Sequence, residues 1–481
     1  MLRRPAISIS PRARPLTGSN AHALVARLGA AIMGNGLLVP AAIFVVVCWQ
    51  FLATVDDRPL HRDEARWIHR AVYLRELVDP LSPYWDEGTW RRRGASLDER
   101  SRLRAQPPLA SYVMGAGLVL QGRDLDTNGF WDMDRDEAWN VRHGNAPDPA
   151  DLAAGRRTTA IVAALTVVVA YVLATRLTNR FGGLVAALVL GANPLLGHYA
   201  TFAGSDALLV LLVALAAFAA YRLADRPTWS RALLLGALLG FGGATKLSPL
   251  LVAFPLALLG GAALVARFVG TRRAGEPASP PYRLGWQLLS VPVVAGAVFV
   301  AVYPYLWAAP LANSRAMLDF RRLGMDLQGE AWPHAAVETR LEAFQRVGVK
   351  LGNDWTALGR LSAQLNERFG IVWDTRGIEL ALAVAGLVML GALVIRHGLW
   401  SGHALATTVL AGQAAVTILG LRADFARYHL PILLLVAVCL GVLAGQTWSV
   451  LQRIPRPAAL AYAPRNRHRR RATDFIAERW P

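Results

Sequence analysis

Just after the first long apolar run of this 481-residue chain, Asp63 and Glu64 stand side by side within Asp56-Asp57-Arg58-Pro59-Leu60-His61-Arg62-Asp63-Glu64-Ala65-Arg66-Trp67. Adjacent residues on a helix point about 100° apart, so the two carboxylates do not form a single acid–base dyad. Arg66 lies three positions after Asp63 and so shares its face, where it would hold the carboxylate ionised. An ionised carboxylate at a membrane-facing cleft suits a general base. A solvated acidic loop is the plainer reading of the same residues.

Other charges stand at comparable positions. Asp206 opens an apolar run in His198-Tyr199-Ala200-Thr201-Phe202-Ala203-Gly204-Ser205-Asp206. It reads either as a helix-start acid behind a Ser205 cap or as a functional carboxylate. Lys246 is the one ionisable group in the apolar segment 232–266; ions in such surroundings are costly and mark function, unless the side chain snorkels from a helix end. Arg156 and Arg157 enter one apolar run, and Arg422, Asp424, Arg427 and Tyr428 precede another. Guanidinium groups match phosphate oxygens, and pairing with Asp or Glu is the alternative.

Several chemistries lack their residues. The run Asp132-Met133-Asp134-Arg135-Asp136-Glu137 has the alternating acids of a calcium loop. Glu137 occupies the sixth position, where that loop needs glycine, and His143 the twelfth, where it needs glutamate. No GxGxxG, Walker, HExxH or GxSxG pattern occurs. Cys48 and Cys439 lie far apart in apolar runs and predict neither a disulfide framework nor a metal knuckle.

The elements that must position these groups are membrane helices. Hydrophobic residues make up 54% of the chain, charged residues 17%, and mean hydropathy is +0.33; soluble domains carry about 25% charged residues. A spanning helix needs about 20 apolar residues. Ten runs qualify as candidates: 36–55, 157–175, 183–200, 205–221, 232–245, 247–266, 285–306, 378–395, 403–421 and 428–447. The segment 232–266 is broken at Thr245-Lys246-Leu247-Ser248-Pro249 and predicts two short helices meeting at a tight turn. The first run follows Arg3, Arg4, Arg12, Arg14 and Arg27 without a small-residue cleavage pattern, as a retained signal-anchor would.

Charge sets the orientation. Lys246 and Lys350 are the only lysines among 51 basic residues, and the formal charge is +18. Residues 109–121 are too short to span, and are expected to lie at the outer interface as an amphipathic helix. With that stretch not crossing, residues 1–35, the tail 448–481 and the loops facing the same side hold 23 arginines and 4 acids. The whole excess then sits on the cytoplasmic side, where it reports orientation and anionic lipid rather than nucleic acid. The expected organisation is a basic N-terminus (1–35), a core with its outer loop 56–156 (36–306), a second outer loop (307–377), C-terminal spans (378–447) and a basic tail (448–481).

The order of motifs resembles the GT-C superfamily of polyprenyl-phosphate-sugar-dependent glycosyltransferases, in the branch of protein O-mannosyltransferases and the lipid A aminoarabinose transferase. Asp63-Glu64-Ala65-Arg66-Trp67 is similar to that family's Asp-Glu region in the first outer loop, and Gln106-Pro107-Pro108-Leu109 to its Lys-Pro-Pro-Leu element. Arg156-Arg157, Ala203-Gly204-Ser205-Asp206-Ala207-Leu208-Leu209, Leu239–Lys246 and Arg427-Tyr428-His429-Leu430-Pro431 follow in the family's order. Gln106 stands where the family has a lysine that touches lipid phosphate, and an arginine expected shortly before Asp206 is missing.

The resemblance implies an all-α integral membrane fold and an inverting sugar transfer on the outer face of a bacterial plasma membrane. Asp63 would be the base, with Glu64 and Asp206 beside it. Arg66, Arg156, Arg157, Lys246 and Arg427 would bind the donor phosphate. Trp67, Pro107, Pro108, Tyr112, His198 and Tyr428 would line the lipid and sugar groove. The implied partners are a polyprenyl-phosphate-linked sugar, an acceptor glycan, lipid or protein, and the bilayer, with no nucleic acid; a divalent ion is left open. A transporter or flippase of lipid-linked sugar and a non-catalytic scaffold on the same fold are the alternatives.

Overall fold

A computed structural model describes residues 36–96, 98–100, 106–270 and 282–453. The basic segments 1–35 and 454–481, with part of the loop 267–284, lie outside the described residues, and so does most of the predicted cytoplasmic charge. Helices of seven residues or more are numbered here in chain order: α1 Leu38–Leu52, α2 Arg62–His69, α3 Leu109–Leu120, α4 Pro149–Leu177, α5 Arg180–Ala192, α6 Pro194–Ala200, α7 Asp206–Asp225 and α8 Trp229–Gly243. They continue as α9 Ser248–Gly270, α10 Tyr282–Ala301, α11 Pro310–Ala331, α12 Arg340–Val349, α13 Ala357–Phe369, α14 Ile378–His397, α15 Gly402–Gly420 and α16 Leu430–Leu451. The all-α integral membrane architecture expected from composition is present; among the described residues the one β-bridge is Ala336 with Ala423.

The number of spans differs from the ten expected. Among the described residues, seven helices are long and apolar enough to cross a bilayer: α4, α7, α9, α10, α14, α15 and α16. An eighth is possible if α5 and α6 count as one span bent by 64°. The bend has a local cause. Pro194 cannot continue the hydrogen-bond ladder of α5, and Asn193 restarts it by accepting from the Leu195 and Leu196 amides at 2.9 and 3.2 Å. α1 and α8 have 15 residues each, about 22 Å of helix against a hydrocarbon core of about 30 Å. The predicted turn after α8 is present, but its second arm, α9, is a full 23-residue helix rather than a short one.

Small residues let the helices approach. A Cβ on Gly236 or Gly240 of α8 would fall 2.7 Å from Val294 or 2.6 Å from the Ala295 carbonyl of α10. On α14, a Cβ on Gly386 would fall 2.1 Å from the Cys439 carbonyl of α16. Such contacts supply the close van der Waals packing that replaces a hydrophobic drive inside lipid. α7 is apolar around its whole circumference and buried along most of its length, so it forms the centre of the bundle.

α3 corrects the expectation of an amphipathic interfacial helix. Its sequence, LASYVMGAGLVL, is apolar on nearly every side, and Ala110, Ser111, Tyr112, Met114, Gly115, Gly117 and Leu118 are buried. It sits against α4, with Gly117 pressed on Thr158, and the Leu109 amide donates to the Ala244 carbonyl at the end of α8 (2.9 Å). The segment 307–377 is mainly helical. It is stitched to the turn before α16, where the Val337 amide donates to the Arg422 carbonyl (2.9 Å) and the Asp424 amide to the Ala335 carbonyl (2.7 Å).

Candidate active site

The start of α2 separates Asp63 from Glu64. His61 is extended and caps the helix: its Nδ1 accepts from the Asp63 amide at 3.1 Å, and the His61 amide donates to Glu64 Oε2 at 3.1 Å. This box turns Glu64 inward, where it is 1% exposed. Its carboxylate accepts from Arg156 Nε and Nη2 at 2.8 and 2.7 Å and from the Ala203 amide at 2.9 Å. Arg156, 3% exposed, gives its remaining donors to the carbonyls of Val55, Arg58 and Pro59 at 2.9–3.1 Å. All five N–H donors of Arg156 are therefore committed to protein oxygens. The phosphate contact expected of Arg156 has no donor left to make it.

Asp63, one step round the helix, faces the opposite way. Its Oδ2 accepts from Arg427 Nη1 at 2.6 Å, and both side chains keep about a quarter of their surface exposed. Burial works to raise the Asp63 pKa, but the charge and hydrogen bond of Arg427, with smaller help from His61 and Arg66, outweigh it and hold the carboxyl below its ordinary range.

A second pair lies beside the first. Asp206, the first residue of α7, forms an ion pair with Lys246, which projects from the turn between α8 and α9. Ser205 makes no side-chain cap, so the carboxylate at this helix start serves Lys246 instead of the cap read from sequence. Lys246 Nζ lies 5.5 Å from the centre of the Tyr428 ring, and the Arg427 guanidinium lies 5.7 Å from it. Arg321 of α11 hydrogen-bonds the Tyr428 side chain, and Asp206 acts electrostatically on Arg427. Two carboxylates thus meet three cations around one phenol, leaving a positive excess suited to an anionic ligand.

Other predicted residues are placed differently. Arg66 does not partner Asp63 directly. Its Nε donates to the Trp131 carbonyl at 2.9 Å, its Nη2 pairs with Asp98, and its guanidinium lies 4.6 Å from the Phe130 ring centre. This buries Arg66 within the segment 56–148. Arg157 is exposed on α4. Pro107, Pro108 and Tyr112 are buried in helix packing rather than lining an open groove, and the Tyr112 hydroxyl donates to the Val302 carbonyl at 3.1 Å. The exposed His198 packs edge-on to Tyr199, and its backbone carbonyl accepts from Arg58 at 2.6 Å. Trp67 is half-buried between the Arg70 guanidinium, 4.8 Å from its ring centre, and a cluster of Ala110, Leu208 and Leu212. Asp136 caps the helix Glu137–Arg142 through the Trp139 amide (2.7 Å), which gives part of the acidic run a structural task. Among the described residues no three His, Cys, Asp or Glu side chains converge as a metal site would require.

Three groups at or near the site escaped sequence reading. Arg321 and Tyr199 face Tyr428 and the Asp63–Arg427 pair respectively. Arg321 falls on the inner line Asn313–Met317–Arg321 of α11, an i, i+4, i+8 signal that is legible once the helix is drawn. Arg70, 1% exposed, donates to the Gln106 side chain and carbonyl at 2.6 and 2.7 Å. Gln106 therefore accepts from a buried guanidinium at a position where a lysine would repel it. Asp424, one of the charges read before the last apolar run, accepts from His429 Nε2 at 2.7 Å and faces Lys350 and Arg346 at 3.6 and 3.9 Å.

Comparison with known proteins follows the same core. The profile of the dolichyl-phosphate-mannose-protein mannosyltransferase family matches residues 150–276, a stretch that includes Arg156, Asp206 and Lys246. Among solved structures, the Archaeoglobus fulgidus oligosaccharyltransferase in complex with Zn and sulfate is 14% identical, covering 73% of this chain and 43% of that one, with a TM-score of 0.41. The archaeal oligosaccharyltransferase AglB from Archaeoglobus fulgidus in complex with an inhibitory peptide and a dolichol-phosphate is 13% identical, covering 87% and 52%, with a TM-score of 0.44. The chain spans about half the length of these proteins. No curated protein matches it.

Proposed function

We propose that this chain is a membrane glycosyltransferase that moves a sugar from a polyprenyl-phosphate donor to an acceptor hydroxyl or amine, with inversion, on the outer face of a bacterial plasma membrane. One observation carries the reading: Arg427 touches Asp63 and also borders the cationic ring of Lys246 and Arg321 around Tyr428. A base and a phosphate-binding set are thereby held by one side chain.

Asp63 takes the acceptor proton while the acceptor atom bonds to the anomeric carbon. The bond from that carbon to the phosphate oxygen breaks, and polyprenyl phosphate leaves with the electron pair. A single displacement of this kind inverts the anomeric centre. Lys246, Arg321 and Arg427 are placed to stabilise the charge growing on the leaving phosphate. Asp206 holds Lys246 in place. Glu64 and Arg156 brace α2 rather than touch substrate. Trp67, Val113, Val162 and Phe241, half-buried between α2, α3, α4, α7 and α8, offer the apolar surface an isoprenoid tail needs.

Asp63→Asn tests the reading. Transfer of labelled sugar from a polyprenyl-phosphate donor to cell-envelope acceptors should fall by about 10²–10⁴, the worth of a general base, with the protein still folded. Full activity in that variant would remove Asp63 from the mechanism. Movement of lipid-linked sugar across vesicles with no acceptor modified would favour the flippase alternative.

A further inference from the structure

Beyond the charged site, a cavity of about 900 Å³ opens between the first outer segment and the end of α10. One wall is formed by residues 80–92 and the other by residues 304–313. Its volume falls within the roughly 300–1,000 Å³ of pockets that bury a small ligand.

The lining has two characters. Trp307 is 37% exposed, and its indole N–H is tied to the Val300 carbonyl at 2.8 Å, so the ring is fixed with a face available. Tyr305 continues the aromatic wall. Opposite stand the exposed Asp86 and Arg91, with Asn313 at the α11 end. The Asn313 amide donates to the Tyr305 carbonyl at 2.6 Å, which leaves its side-chain oxygen as an acceptor.

The position ties the cavity to the charged site. α11 carries Asn313 at the cavity and Arg321 at Tyr428. Eight residues of helix separate them, about 12 Å along its axis. Tyr305 also belongs to the packed cluster that contains Tyr112, Tyr303 and Ala244, and Ala244 lies two residues before Lys246.

We infer that this cavity binds the saccharide portion of a glycan acceptor, which rests on the transferase reading above. A sugar ring offers a C–H face to the electron-rich face of an aromatic ring and hydroxyls to carboxylate, amide and guanidinium groups. An acyl chain would cover Arg91 and also Asp86, which caps its helix and faces Arg92 at 3.6 Å, at a desolvation cost. A nucleotide phosphate would face the Asp86 and Glu87 carboxylates beside Arg91 and Arg92, a lining with no net positive charge to hold it. An extended peptide would seek a free strand edge, and none borders the cavity.

Saturation-transfer NMR on the full chain in detergent tests this with linear oligomannosides and, separately, oligoarabinosides of two to six residues. One series should bind, more tightly as its length grows. Trp307→Leu and the surface substitution Arg91→Ala should each weaken binding about tenfold or more. Binding of undecaprenyl phosphate, measured in parallel, should be unchanged in both variants. Equal saccharide affinity in wild type and both variants would overturn the inference, as would binding of a Ser/Thr-rich peptide but of neither saccharide series. Undecaprenyl phosphate bound with no saccharide overturns the cleft alone. Saccharide bound with no undecaprenyl phosphate supports the cleft and overturns the donor reading.

Discussion

Asp63 and Arg427 are separated by 364 positions in the chain and by 2.6 Å in space. The pair joins α2 to the start of α16. Its two members differ in what they would do next: Asp63 accepts a proton, and Arg427 meets a phosphate. The pH dependence of transfer should report this relationship.

Asp63 must be ionised to act, and burial is outweighed by Arg427, so its pKa lies below the ordinary value of about 3.9. Activity should therefore hold from neutral pH down past that value, then fall as pH drops through the folded pKa. Stability follows the same sign: the Asp63 contribution is present above its unfolded pKa and lost as pH falls through the depressed one. In Arg427→Gln the burial remains and the cation is gone. The acidic limb of kcat/KM should move to higher pH, and an unmoved limb would separate the two residues functionally.

Donor binding should shift the same limb without mutation. A phosphate that engages Arg427 shares its charge and loosens its hold on Asp63, making the base stronger when it is needed. kcat/KM reports pKa values of the free enzyme, and kcat those of the complex. The acidic limb of kcat should accordingly lie at higher pH than that of kcat/KM for the donor. Coincident limbs would show that Arg427 keeps its full grip on Asp63 in the complex.

Glu64 and Arg156 predict a loss of folding rather than of chemistry. Removing one partner of a buried ion pair leaves an uncompensated charge and costs about 3–5 kcal/mol. Glu64→Ala should lower the thermal midpoint in detergent sharply and reduce yield. Arg156→Lys should do nearly the same, since three rotatable donors cannot replace a planar fork with five. Near wild-type melting in both would overturn the bracing role.

Asp424 predicts a split between positioning and folding. It ties the buried His429, Arg346 of α12 and Lys350 just after that helix to the turn that presents Arg427. Burial would raise its pKa, yet hydrogen bonding and charge from His429, with Lys350 and Arg346, bring it below the usual range. Asp424→Asn should lower kcat about tenfold and displace the acidic limb set by Asp63, with Asp424→Glu partly restoring both. Loss of yield with an unchanged pH profile would make the residue structural only.

The charges at the site were legible in sequence because each is anomalous where it stands: Lys246 in an apolar segment, Asp206 at a helix start, Arg427 before a long apolar run. Their partners were not. Sequence spacing paired Asp63 with Arg66, three residues on, but α2 turns Arg66 into the outer segment, where Asp98 and Trp131 claim it. Helix lengths were obscured for a related reason. Hydropathy runs on through Asn193-Pro194 and through Gly242-Gly243, whereas the hydrogen-bond ladder stops at each. For Arg321 the helix line through Asn313 and Met317 marks a face but not Tyr428 as its partner, because the two are far apart in sequence.

Because Arg427 sits at the threshold of α16, every other charged member of the site is synthesised before it. A ribosome working from the N-terminus releases Asp63, Asp206, Lys246 and Arg321 into the membrane while the base still lacks its counter-ion. The nascent chain therefore carries Asp63 without Arg427 until α16 inserts, and α16 then packs on α5 and α14 through glycines that admit it closely. Pairing of Asp63 with Arg427 is tied in this way to completion of the bundle.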